Sequence, residues 1–315
     1  MKKIDLKTLM KNISQLQPIS GEKLEAMKRE ILNADIPYKQ SYDEYQSGGW
    51  HTLQLYSPAD NQTNEVTDGH AQPNAIMDKM PTIKEFLEGL GLDFFSVRVA
   101  KTSPGAYLWE HTDYVELGEE QKLRLHIPLI TDPGANMQIA CNEVNMSEGF
   151  IWKLNPTINH AISNTGKEER IHLILDCYMT DKLKEMLAQE SLTADHVRQL
   201  PALTPEDRQR LLEKAKELLV EQGQKKAEDL LLKSFHSYDL GNETSYDLLI
   251  EFYKKLQFRE RELYWMQEAI TRTAERTKIN PTTKVNIAGD FFQAAHARDD
   301  IPQYDIMNSV LKSCI

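Results

Sequence analysis

Hydrophobic and polar positions along this chain follow two rhythms, and the change between them falls near residue 180. Before it, apolar and β-branched residues come in short runs. Phe94 to Ala100, Leu123 to Ile130, Gly149 to Leu154 and Arg170 to Asp176 all predict strands. Between them lie Ser103-Pro104-Gly105, Asp132-Pro133-Gly134 and Asn164-Thr165-Gly166, which carry the residue types that turns require. Many short strands punctuated in this way predict a sandwich or barrel, of which a jelly roll is one form. Two helices flank it, Gly21 to Asn33 and Pro81 to Leu90, the second with proline at an allowed first-turn position. The polar stretch Ser57 to Gln72, rich in Asn, Asp and Thr, reads as a mobile loop, with a lid role left open.

After Thr180 the spacing becomes helical. Asp181 to Gln189 begins it, and Thr204-Pro205-Glu206-Asp207 opens a longer helix with a capping residue, proline and first-turn acids. That helix runs to about Gln222, and further helices are expected over 224–236, 244–257, 259–277, 283–297 and 303–313. His196 to Leu203 reads as the connection into them. The expectation is an α+β chain, with a strand-rich domain over 1–180 and an all-α domain over 181–315.

Composition narrows the class. The 315 residues are 40% apolar and 27% charged, which suits a globular chain with a sizeable core. Net charge is 37 − 48 = −11 with no basic stripe, so nucleic acid is excluded as an expected partner. No window is apolar enough for a membrane span, and Met1 to Lys7 carries positive charge but lacks the apolar stretch of a signal peptide. Cys141, Cys177 and Cys314 are scattered and odd in number, giving neither a disulfide framework nor a metal pair. Reduced thiols and a cytoplasmic location are expected.

The candidate chemistry begins at Trp109-Glu110-His111-Thr112-Asp113. On a strand, His111 and Asp113 stand two apart and project to one side, within reach of a single ion. Imidazole and carboxylate together suit Fe(II), and a second imidazole completes a facial triad with positions open for O2 and a co-substrate. Of the nine histidines, His160 is best placed, before the turn at Asn164 to Lys167 and the strand from Arg170. A hairpin folded near Thr165 sets Arg170 across from His160 on the same side. A guanidinium there offers the bidentate, permanent charge that grips the far carboxylate of 2-oxoglutarate. Each residue alone has a blander reading, a core histidine or a solvated charge. The ordered set on predicted strands is what points to an iron oxygenase.

With these residues in view, the segment from about 94 to 178 resembles the aspartyl/asparaginyl β-hydroxylase superfamily. The carriers are the HxD, Arg124-Leu125-His126-Ile127-Pro128-Leu129, Gly149…Trp152…Asn155…His160 and Arg170-Ile171-His172-Leu173. Bacterial L-proline 3-hydroxylases are similar over more of the chain, through Tyr42-Asp43-Glu44-Tyr45…Gly48-Gly49-Trp50, Thr204-Pro205-Glu206 and His236-Ser237-Tyr238-Asp239. The resemblance implies a double-stranded β-helix core, jelly-roll or cupin-like, with flanking helices and a helical C-terminal domain. It implies Fe(II) on His111, Asp113 and His160, and 2-oxoglutarate on Arg170 with help from His126. Arg124 is left open between co-substrate and substrate carboxylate. A serine that meets the co-substrate in animal members falls at Ala100 here, so that contact is absent or replaced. Related halogenases replace the iron-binding carboxylate with a small residue, so an intact Asp113 implies hydroxylation.

The expected activity is therefore C3 hydroxylation of a free L-amino acid, proline or a close cyclic analogue, with O2 consumed and succinate and CO2 released. Arg98 or Arg124 would hold the substrate carboxylate and Asp43 its ammonium group. Trp152 is weighed between pocket wall and core, and His172 between pocket lining and packing. A homodimer is left open. One alternative is a peptide-, protein- or carrier-bound substrate, and another is a non-catalytic cupin-like binding protein. Zinc hydrolysis fits poorly, since no HExxH helix or separate general base is evident.

Overall fold

The computed structural model describes residues 4–58, 66–114 and 121–273. The helices expected over 283–297 and 303–313 lie outside these residues, as do Cys314 and the middle of the Ser57 to Gln72 stretch. The chain forms two units, one of 1–108 with 113–199 and one of 109–112 with 200–315.

The first unit begins with α1 (Leu6–Leu9), β1 (Ile13–Pro18), α2 (Gly21–Asn33), β2 (Lys39–Gln40), β3 (Trp50–Ser57), β4 (Gln72–Pro73) and α3 (Pro81–Gly89). Next come β5 (Phe94–Thr102), β6 (Tyr107–His111), β7 (Lys122–Ile130), β8 (Ala135–Ile139), β9 (Asn142–Val144) and β10 (Phe150–Leu154). It ends with β11 (His160–Asn164), β12 (Arg170–Tyr178), α4 (Asp181–Leu187) and β13 (Val197–Gln199). They build two sheets: a larger one ordered β1-β10-β7-β12-β5-β3-β2 with β4 on β3, and a smaller one ordered β13-β9-β8-β11-β6. This is the double-stranded β-helix expected from the sequence.

Strand alternation decides what each face of the larger sheet buries. Val97 and Val99 of β5, Leu125 and Ile127 of β7, and Ile171, Leu173 and Leu175 of β12 pack with Leu24, Met27 and Ile31 of α2 and Ile83 and Leu87 of α3. The alternate positions, Ala100, Ile174, Trp152 and Trp50, pack instead with Met137, Ile139 and Ile162 of the smaller sheet. Both faces of β12 are thus covered, one by helices and one by the second sheet.

The helices form where their sequences cap them. Ser20 accepts from the Lys23 amide at the start of α2, and Leu24, Met27 and Ile31 recur at helical spacing on its buried face. Glu30 of α2 in turn accepts from the Thr82 and Ile83 amides, satisfying the first turn of α3 at 2.7 and 2.9 Å. The division between units falls after Gln199, later than the expected 180, because β13 pairs with β9 in the smaller sheet.

The second unit contains α5 (Pro205–Gln222), α6 (Gln224–Leu232), α7 (Ser234–Ser237), α8 (Ser245–Lys255) and α9 (Arg259–Arg272). Glu228 is its buried hub, accepting from Tyr253, Arg261 and Trp265. Glu110 accepts from both the Ser245 amide and hydroxyl, at 2.8 and 2.9 Å, at the start of α8. Among the described residues, no helix is long and apolar enough to cross a membrane.

Candidate functional site

His111 ends β6, Asp113 follows two residues later, and His160 begins β11. The three offer ligand atoms that all lie within 4.8 Å of one another. His160 Nε2 is 3.5 Å from Asp113 Oδ2. The two histidines share one arrangement, because each Nδ1 meets the carbonyl oxygen two residues earlier: Trp109 O at 2.7 Å from His111 and Ile158 O at 2.9 Å from His160. A carbonyl only accepts, so each Nδ1 carries the proton. That fixes the tautomer and leaves each Nε2 lone pair for a metal ion, the usual arrangement of metal-binding imidazoles. Two imidazoles and a carboxylate, the imidazoles buried and the carboxylate half-buried, fit Fe(II) with coordination positions to spare.

Arg170 was expected to reach this region through a hairpin. The structure differs: β11 pairs with β8 in the smaller sheet, and β12 lies between β5 and β7 in the larger one. The turn at 164–166 carries the chain from one sheet to the other, so His160 and Arg170 belong to opposite sheets. Asn164 spans that step, its side-chain amide donating to Thr102 O and Glu168 O. His160 shares its strand face with Ile162, and Arg170 shares its face with Ile174, and both apolar residues belong to the core between the sheets.

Arg170 is 1% exposed, and its Nη1 has no hydrogen-bond partner. Among the described residues no carboxylate answers its charge, so burial alone lowers its pKa to about 9. His126 and His172 share this face, and neither ring nitrogen of either has a partner. Their rings meet edge to face at 5.7 Å. Burial first, then the charges of Arg170, Arg124 and Arg98, pushes His126 well below the usual histidine range. Burial and Arg170 do the same to His172. These buried groups therefore present one cation and two neutral imidazoles whose hydrogen-bonding capacity the protein does not use. An unsatisfied guanidinium is costly, and a carboxylate-bearing ligand supplies what it lacks.

Arg98 and Arg124 are placed otherwise. Arg98 Nη1 donates to Asp176 Oδ2 at 2.5 Å, and Arg124 Nε donates to Asp176 Oδ1 at 2.7 Å. Arg124 Nη1 also donates to Asp113, and the Tyr114 hydroxyl donates to Asp176. Burial works against the Asp176 charge, yet Arg124 and Arg98 hold its pKa below the usual carboxylate value. Asp113 and Asp176 likewise raise the Arg124 pKa well above its ordinary value, against burial. The sequence reading did not single out Asp176 or Tyr114, whose hydrogen bond joins positions 62 residues apart.

The other candidates separate. Trp152 is wholly buried, donates its indole N–H to Ser147 O and meets His196 edge to face, so it is a core residue. Asp43 is exposed and accepts from Gln40 at 2.7 Å. Its neighbour Tyr42 has φ +59 and lies within the electrostatic reach of Arg98, Asp113, Arg124 and Asp176.

A family model described as Aspartyl/Asparaginyl beta-hydroxylase matches residues 14–180. An L-proline cis-4-hydroxylase from Rhizobium meliloti (strain 1021) is 26% identical over 145 residues, 44% of this chain and 51% of that protein. An L-proline cis-3-hydroxylase 1 from Streptomyces sp is 26% identical over 201 residues, 58% of this chain and 67% of that protein. The chain thus spans about half the length of the first relative. Among solved structures, an oxidoreductase of the 2OG-Fe(II) oxygenase family from Burkholderia pseudomallei aligns with 56% of this chain and 90% of its own, at 11% identity and a TM-score of 0.39. A Pseudomonas putida prolyl-4-hydroxylase aligns with 56% of this chain and 97% of its own, at 17% identity and a TM-score of 0.36.

Proposed function

This chain belongs to the aspartyl/asparaginyl β-hydroxylase family, and we propose from that premise that it is an Fe(II)- and 2-oxoglutarate-dependent hydroxylase of a free L-amino acid. The observation that carries the reading is the pairing of two features inside one barrel: a His111/Asp113/His160 triad and a buried guanidinium, Arg170, without a counter-ion. His111, Asp113 and His160 would hold the iron, and Arg170 with His126 would hold the co-substrate. The bound iron and co-substrate supply the oxidising chemistry, with O2 consumed and succinate and CO2 released.

The chain's own residues orient the reactants. Trp109 O and Ile158 O keep the imidazole tautomers fixed, and Arg124 fixes the rotamer of the Asp113 carboxylate. Arg98 and Arg124 carry two charges against Asp176, and Asp113 is committed to the metal, so one positive charge remains for a substrate carboxylate. The substrate assigned is L-proline or a close cyclic analogue attacked at C3, supported by the likeness to proline hydroxylases. No nucleic acid or membrane enters this reading, and the location assigned is the cytoplasm.

The test is succinate release by the Fe(II)-loaded chain across free amino acids and peptides, with the hydroxylated product located by NMR. Proline-dependent succinate and a 3-hydroxyproline product are expected, together with loss of both in a folded His111→Ala variant. A product hydroxylated elsewhere would correct the position alone. Turnover only with peptides would replace the substrate class, and tight Fe(II) binding with no turnover on any substrate would leave a non-catalytic binding protein.

A further inference from the structure

Residues 109–112, which include one member of the triad, group with 200–315 rather than with the rest of β6. His111 turns toward Asp113 and His160, so its neighbour Glu110 projects to the opposite face of β6. Glu110 is wholly buried, and its Oε2 accepts from both the amide and the hydroxyl of Ser245, the first residue of α8. A buried carboxylate is costly unless donors meet it, and the start of a helix supplies free N–H groups and a favourable dipole.

The backbone of the same segment is held as firmly. The Tyr246 hydroxyl donates to Glu110 O at 2.6 Å, and Thr112 N donates to Arg272 O, at the end of α9, at 2.7 Å. Glu110 O belongs to the peptide plane before the His111 Cα, and Thr112 N belongs to the plane after it. Each plane is rigid, so fixing both fixes the two backbone torsions of His111. The hydroxyl that does this is itself immobile, because Tyr246 is wholly buried and its ring meets that of Trp265 at 5.9 Å. Trp109 O, the partner of His111 Nδ1, rides on the same segment. Backbone position, ring tautomer and ring direction at His111 thus share one support.

We infer that Glu110, Ser245 and Tyr246 are positioning residues for the metal site: α8 and α9 hold the backbone on both sides of His111, and metal affinity depends on that grip. This rests on reading the triad as a metal site, and it gives the helical unit a part in the chemistry. Metal–ligand distances tolerate only about 0.2 Å, so freedom at either peptide plane is felt as lost affinity.

The experiment titrates Co(II) alone into the full chain and reads its affinity and its visible absorption, which reports coordination geometry. Two variants loosen the support at different points. Tyr246→Phe removes the hydroxyl from Glu110 O. Ser245→Pro removes both donors to the Glu110 carboxylate while suiting α8, since Thr244 before it is extended (φ −116, ψ 167) and proline is accepted at a first helical position, as at Thr204-Pro205. Tyr253→Phe is the control, deleting a buried 2.7 Å hydrogen bond to Glu228 in the same unit and none of the bonds to residues 109–112. Partners that orient metal ligands are worth about tenfold or more in affinity, so Tyr246→Phe and Ser245→Pro are each expected to weaken Co(II) about tenfold and to shift its spectrum. Tyr253→Phe should lower the melting temperature and leave both readings at their wild-type values. Wild-type affinity and spectrum in Tyr246→Phe and Ser245→Pro, with the ion lost in His111→Ala, would overturn the inference and leave the metal site standing. Equal losses in Tyr253→Phe would also overturn it, since the effect would then be one of general stability. Failure of the wild type to bind Co(II) would sink the metal-site reading as well.

Discussion

Replacing Arg170 with methionine should stabilise the ligand-free protein and, on the proposed function, abolish 2-oxoglutarate binding. Methionine matches the length of the arginine stem and suits the apolar neighbours on that face. Burial lowers the Arg170 pKa from 12.5 to about 9 with no carboxylate to compensate. At about 1.36 kcal/mol per tenfold, that is a cost of roughly 5 kcal/mol for keeping the charge in the folded chain. Part of it is offset by packing lost on substitution, so a net gain of about 1–4 kcal/mol is expected. The sign with pH follows from the direction of the shift. Below pH 9 the guanidinium is protonated both folded and unfolded, and the full cost is present. Between about 9 and 12.5 the folded chain releases the proton first, and the cost fades as pH rises. The stability gap between variant and wild type, read from urea unfolding without ligand, should therefore be widest at neutral pH and narrow above pH 9. Adding 2-oxoglutarate to the metal-loaded proteins should stabilise wild type alone. An Arg170→Met protein that unfolds more easily than wild type at pH 7, or that 2-oxoglutarate still stabilises, would refute the claim that the guanidinium is an unpaired, ligand-directed charge.

Two further outcomes follow from the same face of the sheet. His126 and His172 lie well below the usual histidine pKa, so both stay neutral at mildly acidic pH, and the dissociation constant of 2-oxoglutarate should be flat between pH 8 and 6; a histidine-like inflection in that range that His126→Gln or His172→Gln abolishes would contradict their neutral state. Asp176→Asn removes the shared partner of two buried guanidinia and should destabilise the fold by about 3–5 kcal/mol in denaturant. Because the Asp176 pKa is depressed, its stabilisation is present above the ordinary carboxylate value and lost as pH falls below it, so the variant and wild type should converge in acid.

Much of this architecture is legible from sequence because the local signals are strong. Ser20 followed by Leu24, Met27 and Ile31 marks α2, and the Thr204-Pro205 start marks α5, both with their expected bounds. The triad is legible for a different reason: the His111/Asp113 spacing and a single well-placed distal histidine leave few alternatives. The turn at 164–166 is equally plain, yet its residues do not say whether the flanking strands pair with each other or with others. That is a tertiary choice, settled by where β8 and β5 lie. The inside of β12 was harder still. Ile171, Leu173 and Leu175 face helices while Arg170, His172 and Asp176 share the second-sheet face with Ile174, the reverse of a polar-outside strand, and alternation alone fits either assignment. Asp176 has no local signature at all, since its partners come from β5, β7 and Tyr114. The domain boundary slipped because β13 is only three residues long, too short to show a period against the helical background.

The larger sheet carries two kinds of buried arginine, and on the proposed function the contrast would let one fold take two different ligands. Arg170 and Asp176 lie on the same face of β12, six positions and about 20 Å apart along the strand. At the Asp176 end, Arg98 and Arg124 are matched against carboxylates before anything binds, so this end is folded and charged at little cost. On the proposed function, a substrate entering there would meet a polar surface already in place, with one positive charge in excess because Asp113 is assigned to the metal. At the Arg170 end no described carboxylate is matched to the charge, and the ligand-free fold carries the cost. An aspartate beside Arg170 would remove that cost and close the site in the same step. On the proposed function, stability spent at one end and conserved at the other would make co-substrate binding the event that completes the core, while substrate binding would draw on charges the core has already arranged.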